Sequence, residues 1–132
     1  MSEFKLIIVT PDGIEYDGMA ESVIVRTTTG DVGILNNHAP FVSPLSTGEA
    51  RIQANGQWRN AACSGGVVSA DKECVSIVAD TFEWSDKIDV ERAEKARDKA
   101  RKIIDSSDDN KRLDKAKIKL LRAMTRIDVA NK

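Results

Sequence analysis

The stretch TFEWSDKIDVERA, residues 81–93, marks a change in the character of this chain. Before it, short apolar runs are interrupted by glycine, proline, asparagine and aspartate, which is the pattern of strands separated by turns. After it, residues 86–132 contain no glycine and no proline, and apolar residues recur at helical spacing. The sequence therefore predicts two domains, a β domain over residues 1–85 and a helical domain over residues 86–132.

Turn signals recur through the β domain at about eight to twelve residues, the spacing typical of a sandwich or barrel. Pro11-Asp12-Gly13 and Asn55-Gly56 are the clearest of them. Proline presets φ for a turn, and Asn-Gly favours a two-residue type I′ hairpin. Val23-Ile24-Val25 is apolar on both faces, as expected of a strand between two layers. We predict an α+β fold in which an all-β sandwich of about ten short strands precedes an antiparallel two-helix hairpin.

The sequence of the helical domain predicts two helices joined by a polar connector at residues 106–110. Ser85-Asp86 can cap the first helix, which we expect to end near Asp105, and Asp108 or Asp109 can cap the second. On each helix, alanines and larger apolar residues share one face through three- and four-residue spacing. Because alanine buries little surface, such a hairpin depends on packing against another surface. Two packings of similar free energy would make it a switch.

Charge is divided unevenly between the two parts. Residues 1–84 hold 5 basic and 11 acidic groups, whereas residues 85–132 hold 15 basic and 10 acidic groups. The basic tail is expected to be attracted by the acidic body or by an acidic partner, although a solvated helix surface explains the same charges. The net charge of −1 argues against nucleic-acid binding. The sequence shows no apolar run long enough to span a membrane and no signal peptide, which predicts a cytoplasmic protein.

Residues that could perform catalysis or bind a metal are few. His38 is the only histidine, and no serine or cysteine has an evident orienting partner. An enzyme built around His38 is therefore the weakest interpretation. Cys63 and Cys74 read as small buried thiols, and two thiols with one histidine make no metal-ligand set. A Walker A phosphate-binding loop is absent from the sequence. We predict no catalytic residue and no metal site.

Several stretches, taken in order, resemble the ε subunits of F-type ATP synthases in their bacterial or chloroplast form. They are VTPDG at residues 9–13, GDVGILNNHAP at 30–40, SGG at 64–66 and IDVERA at 88–93. The resemblance covers nearly the whole chain and includes the same division into sandwich and hairpin. Two positions depart from the usual pattern: Asp31 stands in place of glutamate and Asn37 in place of glycine. Asparagine tolerates left-handed backbone geometry, so the loop is expected to form.

This resemblance implies a non-catalytic rotor subunit, peripheral to the cytoplasmic face of the bacterial cell membrane as part of the F1 sector. It implies that the sandwich couples the γ subunit to the c-ring in proton-driven ATP synthesis. The implied contact residues are Gly30, Asp31, Val32, Gly33 and His38. It also implies that the hairpin can extend toward the α and β subunits and restrain ATP hydrolysis.

The resemblance further implies that ATP is a regulatory ligand, with no cofactor required. Adenine and ribose would meet Glu83, Ile88, Asp89, Arg92 and Ala93, and the phosphates would meet Lys99, Arg122 and Arg126. Lys99 stands where arginine is usual and lacks the bidentate fork of a guanidinium. By spacing alone, an antiparallel hairpin brings the arginines of its two helices together, which suits a polyanion. Ordinary surface ion pairs explain the same residues without a nucleotide.

The main alternative is a free-standing β-sandwich that binds another protein, with the hairpin as a recruitment arm. Isolation of the native complex separates the two interpretations, because only a rotor subunit would co-purify with γ and the c-ring.

Overall fold

The computed structural model describes residues 2–132, which form ten strands followed by two helices. The strands are β1 (Phe4–Thr10), β2 (Gly13–Ala20), β3 (Ser22–Thr27), β4 (Gly30–Leu35), β5 (Phe41–Pro44), β6 (Gly48–Ala54), β7 (Gln57–Ser64), β8 (Val67–Ala70), β9 (Cys74–Val78) and β10 (Thr81–Trp84). Sheet A has the order β2-β1-β9-β8-β5, and sheet B has the order β10-β7-β6-β3-β4. The predicted sandwich and the predicted α+β class are confirmed.

The two sheets enclose one apolar core. Alternate residues of each strand point inward, and the side chains of Leu6, Ile8, Val23 and Ile77 are fully buried. Ile24 points to the outer face and is only partly buried, so the run 23–25 faces the core on one side. Asn55 and Gly56 have φ values of +54° and +74° between β6 and β7, as the predicted type I′ hairpin requires.

β2 continues without a break through Asp17-Gly18, although aspartate and glycine are typical turn residues. Its irregularity lies earlier, because the register with β1 shifts between Ile8 and Val9 and leaves Glu15 unpaired with any β1 residue. Such a bulge removes one residue from the ladder. The Glu15 carbonyl instead accepts a hydrogen bond from Trp84 Nε1 at 3.3 Å, which ties β2 to β10 at one edge of the sandwich.

The first helix begins later than predicted. Ser85–Lys87 forms a single 3₁₀ turn and Ile88 is extended, so α1 runs over Val90–Ser106 with Asp89 as its N-cap. The Asp89 carboxylate accepts a hydrogen bond from the Arg92 backbone N–H at 3.1 Å, as a capping side chain does. The assignment of the cap to Ser85-Asp86 is therefore wrong. The second helix, α2 (Asn110–Ala130), has Asp109 as its N-cap, one of the two residues predicted.

The hairpin lies against the outer face of sheet B. Ala93 and Ala100 of α1 and Ala116 and Ala123 of α2 are buried, and we call these four residues the alanine seam. Small side chains at seven-residue intervals let two helix backbones approach closely. α2 contacts β7 and β6, so the helical domain is docked on the sandwich.

The strand order gives the sandwich two distinct edges. At one edge, β4 and β5 end their sheets, and a bridge between Thr27 and Leu45 holds the sheets together there. At the other edge, β2 and β10 are joined through Trp84. Within residues 2–132 neither helix is both long and apolar enough to cross a membrane. Of the predicted ATP-binding residues only Glu83 belongs to the sandwich, on β10, at the opposite edge of sheet B from β4.

Candidate functional site

A cleft of about 580 Å³ lies between the β2/β10 edge of the sandwich and the hairpin. Five of the eight residues predicted to bind ATP line it: Glu83, Asp89, Arg92, Ala93 and Arg126. They come from β10, from the start of α1 and from the last turns of α2, so the cleft exists only while the hairpin is docked. The cleft has the size of an ordinary small-molecule site and combines apolar and charged walls.

The floor of the cleft is set by the alternation along β10. Phe82 and Trp84 point into the core, while Thr81 and Glu83 face the hairpin. The Phe82 and Trp84 rings meet edge to face, with centroids 5.0 Å apart. The Arg59 guanidinium lies over the Trp84 ring, 3.8 Å from its centroid. These contacts hold the indole in one orientation, since aromatic and cation–π pairs are directional.

One ion pair connects the two walls of the cleft. Arg126 Nε on α2 donates to Glu83 Oε1 on β10 at 2.6 Å, and both side chains are partly exposed. The guanidinium keeps N–H groups beyond the one that Glu83 occupies. The pair therefore fixes Arg126 within the cleft and also helps to hold α2 on the sandwich.

Arg122 lies beside the cleft. Its Nε donates to Ser64 Oγ at 2.8 Å, and Ser64 shares a hydrogen bond of 2.9 Å with Thr47 Oγ1. A smaller pocket around Arg122 shares Thr81 and Arg126 with the main cleft.

Two predicted residues line neither pocket. Lys99 is exposed on α1, ten residues beyond Asp89 and therefore about 15 Å further along the helix. Ile88 is partly buried in the extended link before α1. Asp89 lines the cleft, but its carboxylate already caps α1. The structure thus brings Arg126 together with Glu83 and Arg92 in the cleft, places Arg122 in the adjoining pocket, and leaves Lys99 outside both.

Other cleft residues were not found from the sequence. Thr10 and Asp12 enter from the β1–β2 turn, Glu15 from the bulge in β2, and Lys87 from the 3₁₀ turn. The turn signal around Asp12 was visible, but its position next to β10 depends on the pairing of the sheets. Trp84, the last residue of β10, also lines the cleft, at the junction of the two domains.

Four of the five predicted contact residues lie on β4, an edge strand. Asp31 and Gly33 face outward, while Val32 packs against the core. Arg26 Nε donates to Asp31 Oδ1 at 2.6 Å, and Arg26 Nη2 is 3.5 Å from Asp31 Oδ2. The hydrogen bond from Arg26 holds the pKa of Asp31 below its usual value; burial opposes this, and the charges of Arg26 and Arg51 add smaller decreases.

His38 lies in the loop between β4 and β5. Asn37 before it has a φ of +66°, so the left-handed conformation expected at this position is present. The His38 imidazole packs edge-on against Phe4, with ring centroids 5.8 Å apart. Both ring nitrogens are buried and have no hydrogen-bond partner among residues 2–132.

Neither cysteine forms a disulfide. Cys63 on β7 and Cys74 on β9 belong to different sheets, and burial raises the pKa of the Cys63 thiol to about 12. Nowhere in residues 2–132 do three histidine, cysteine, aspartate or glutamate side chains gather as metal ligands would.

Two known families match the chain, and the boundary between their matches lies at the junction of the β domain and the helical domain. The family described as ATP synthase, Delta/Epsilon chain, beta-sandwich domain matches residues 3–85. The family described as ATP synthase, Delta/Epsilon chain, long alpha-helix domain matches residues 86–131. The chain belongs to the ATP synthase epsilon chain family. The predicted resemblance is confirmed, and the chain is a non-catalytic subunit of ATP synthase.

Similar epsilon chains match along most or all of their length. The ATP synthase epsilon chain of Ruminococcus albus is 41% identical over 133 residues, covering 100% of this chain and 99% of that protein. That of Bacillus subtilis is 43% identical over 132 residues and covers 100% of both. That of Alkaliphilus oremlandii is 47% identical over 106 residues, covering 80% of this chain and 79% of that protein.

Solved structures of low sequence identity share the fold. A chain in the cryo-EM structure of the Euglena gracilis mitochondrial ATP synthase OSCP/F1/c-ring superposes with a TM-score of 0.86 at 21% identity, covering 100% of this chain and 83% of that one. A chain of the Tetrahymena thermophila mitochondrial ATP synthase central stalk and c-ring gives a TM-score of 0.70 at 14% identity, covering 98% of this chain and 97% of that one.

Proposed function

We propose that this chain is the central-stalk rotor subunit that couples γ to the c-ring in proton-driven ATP synthesis, and that its hairpin is a nucleotide-sensitive brake. Family membership over both domains supports the first part. The observation that carries the second is the cleft between the docked hairpin and the sandwich, with five of the eight predicted ATP-binding residues in its walls.

The c-ring contact of this proposal is the β4/β5 edge. Gly30, Asp31, Val32 and Gly33 form the outermost strand of sheet B, and His38 follows in the next loop. An edge strand presents free backbone groups as well as its side chains, which suits recognition of a polar loop. Its distance from the hairpin leaves the edge open to a partner while the hairpin is docked.

The γ contact of this proposal lies on the outer face of sheet A, next to the β4/β5 edge. Val42 and Val78 are 71% and 53% exposed, and Val67 lies opposite Val78 in the β8–β9 ladder. Exposed apolar groups on neighbouring strands are typical of a protein–protein interface. With γ on this face and the c-ring at the edge, the sandwich would be enclosed on two sides as part of F1 at the cytoplasmic face of the bacterial membrane.

ATP bound in the cleft would hold the hairpin against the sandwich, because its walls come from both domains. A ligand that binds only the docked form stabilises that form by mass action. The released hairpin would reach toward the α and β subunits and restrain hydrolysis, with its basic surface facing acidic partners. The proposed consequence is that abundant ATP keeps the brake disengaged.

Trp84 provides a direct test of nucleotide binding. The chain has two tryptophans, so Trp58→Phe leaves Trp84 as the only one, in the wall of the cleft. We expect ATP to change its fluorescence saturably with a micromolar to millimolar Kd. Arg126→Gln and Arg122→Gln should each raise that Kd roughly ten- to a hundredfold, the effect of one charge-assisted contact of about 1.5–3 kcal/mol.

Arg112→Gln is the matched control, since Arg112 is exposed on the same helix and lines neither pocket. Its Kd should equal that of the parent. An unchanged Trp84 signal together with no heat of binding at about 10 mM ATP, which would populate even a weak site, would exclude the nucleotide role. The rotor role is tested separately by co-purification of this chain with γ and the c-ring.

A further inference from the structure

The Asp31 carboxylate at the β4 edge is held in place by a second residue, Arg26. The two residues are direct cross-strand partners in the β3–β4 register. Their side chains are 49% and 46% exposed, yet they meet through both the 2.6 Å and the 3.5 Å contact. The guanidinium therefore lies side-on to the carboxylate, as in a bidentate pair that fixes orientation as well as distance.

The backbone beneath this pair is fixed as well. Thr27 Oγ1 donates to the Gly30 carbonyl at 2.7 Å and also accepts from the Thr29 backbone N–H at 3.3 Å. Thr27 is buried, so these hydrogen bonds are shielded from water. The turn that delivers Asp31 is thus held by one threonine, and the Asp31 side chain is held by Arg26.

Gly48 on the neighbouring β6 leaves room for the Arg26 side chain. A Cβ on Gly48 would lie 2.6 Å from Arg26 Cβ and 2.9 Å from Arg26 Cγ, closer than carbon atoms approach. The φ of Gly48 lies outside the left-handed range, so glycine is required here for lack of space and not for its backbone conformation. A side chain at position 48 would displace Arg26 from its place beside Asp31.

We propose that Arg26 is a positioning residue for the c-ring contact, and that the β4 edge presents to a polar loop of the ring an Asp31 carboxylate whose orientation Arg26 fixes. This inference rests on the proposed c-ring contact. The weakly bonded Asp31 Oδ2 accepts one donor from that loop. A carboxylate held in one orientation selects a partner whose donor lies in the matching position.

Two arginines lie near the Asp31 carboxylate, but only one of them is bonded to it. Arg26 on β3 bonds to Asp31 directly, whereas Arg51 on β6 is bound to Glu49, with its Nε 3.3 Å from Glu49 Oε1. Arg51 therefore contributes charge at a distance but does not orient the carboxylate. Orientation of Asp31 is expected to depend on Arg26 alone.

The test uses F1 assembled with variants of this chain and measures its affinity for purified c-ring. We expect Asp31→Asn to weaken binding, and Arg26→Gln to weaken it about two- to fivefold, the range measured for exposed ion pairs. Arg26→Lys should lie between Arg26→Gln and the parent, because it keeps charge without the fork. The double variant Arg26→Gln/Asp31→Asn should bind like Asp31→Asn alone, since Arg26 acts through Asp31.

A second readout separates positioning from general destabilisation. In Arg26→Gln the pKa of Asp31, followed by carboxyl NMR, should rise toward the value of a free aspartate, while the urea midpoint stays close to that of the parent. Gly48→Ala displaces Arg26 without removing its charge and should weaken c-ring binding in the same direction. Arg97→Gln is the matched control, since it removes another exposed Arg–Asp contact of 3.1 Å, on α1, and should leave binding unchanged.

The outcomes distinguish this inference from the function on which it rests. Parental c-ring affinity in Arg26→Gln and Gly48→Ala, with Asp31→Asn still impaired, would overturn the role of Arg26 and leave the c-ring contact standing. Parental affinity in Asp31→Asn would overturn both. A weakened Arg26→Gln together with an unchanged Asp31 pKa would show that Arg26 acts on the ring directly and not by positioning Asp31.

Discussion

The link between β7 and β8 is the place where a single residue is most constrained. Gly66 has a φ of +92°, and a Cβ there would overlap the carbonyl oxygen of Val78. The chain at this point leaves sheet B for sheet A, close to the backbone of the strand that precedes β10. Only glycine can adopt this positive φ without strain and also fit without a Cβ against the Val78 carbonyl.

Gly66→Ala is therefore expected to lower the free energy of unfolding by about 2–4 kcal/mol, through backbone strain and steric overlap together. Urea denaturation of the isolated chain measures it. Gly33→Ala is the control, because Gly33 is on an edge strand with open space around it and no left-handed φ. Equal midpoints for the two variants would show that the β7–β8 link is looser than described.

The stabilisation that Asp71 contributes to the fold is expected to depend on pH. Its Oδ1 accepts hydrogen bonds from the backbone N–H groups of Glu73 and Cys74 at 2.9 and 2.8 Å in the β8–β9 turn. These bonds lower the pKa of Asp71 below its unfolded value. The stabilisation is complete above the unfolded pKa of about 3.9 and is lost as the pH falls through the lower folded pKa.

Asp71→Ala should consequently lower Tm at pH 7, and the difference from the parent should shrink as the pH falls below about 4. Thermal unfolding between neutral and acidic pH measures this. Asp17→Ala is a suitable control, since Asp17 is an exposed aspartate of β2. A Tm difference for Asp71→Ala that stays constant over the whole pH range would contradict the assigned hydrogen bonds.

Among the elements, the hairpin has the thinnest core. The alanine seam joins α1 to α2 by close backbone approach, while Ile118 and Leu121 on the outer side of α2 are about half exposed. Helices of this length gain most of their stability from packing. Overfilling the seam should therefore affect the hairpin before it affects the sandwich.

Ala123→Leu tests this directly. Ala123 is fully buried, and the added side chain should destabilise the docked hairpin by about 1–3 kcal/mol through overpacking. Hydrogen exchange of α1 and α2 should accelerate roughly 5- to 100-fold, while exchange in the strands of the core stays unchanged. Ile118→Ala on the exposed side is the control and should alter exchange little. Faster exchange across the whole chain would show that hairpin and sandwich unfold as one unit.

The elements were more predictable than their contacts. Period-two and period-3.6 patterns and turn residues are local, so the strands, the Asn55-Gly56 hairpin and both helices could be predicted. The first cap was misplaced because Ser85, Asp86 and Asp89 are all capable caps, and only the 3₁₀ turn selects Asp89. Five of the thirteen residues that line the cleft were predicted, and four of these five belong to the helical domain. The wall formed by the β1–β2 turn and Glu15 was not predicted, because it depends on sheet pairing and a bulge.

Over the whole molecule, an acidic sandwich carries a basic hairpin, and polar contacts at three points join them. Arg126 bonds to Glu83, Arg122 to Ser64, and Lys132 Nζ to Glu49 Oε1 at 3.2 Å. Partly exposed ion pairs of this kind contribute little individually and are screened by salt. The docked state is therefore expected to be favoured by a modest free energy, which a ligand or a partner subunit can offset.

The double variant Glu49→Gln/Glu83→Gln should loosen docking without unfolding either domain. At about 0.2–1 kcal/mol for each pair, hairpin exchange should accelerate roughly two- to thirtyfold, and added salt should accelerate the parent more than the variant. Glu94→Gln, which removes an exposed 4.0 Å contact to Arg97 within α1, is the control. Equal salt dependence in parent and variant would contradict an electrostatic contribution to docking.

The most direct measurement is hydrogen exchange of the intact chain with and without ATP, resolved over residues 90–130. We predict that these amides exchange through local opening faster than the strands of the core, that saturating ATP slows them by up to about a hundredfold, and that Arg126→Gln removes the effect. If the hairpin exchanges as slowly as the core strands and ATP changes nothing, then the hairpin is a fixed part of the fold and not a nucleotide-controlled arm.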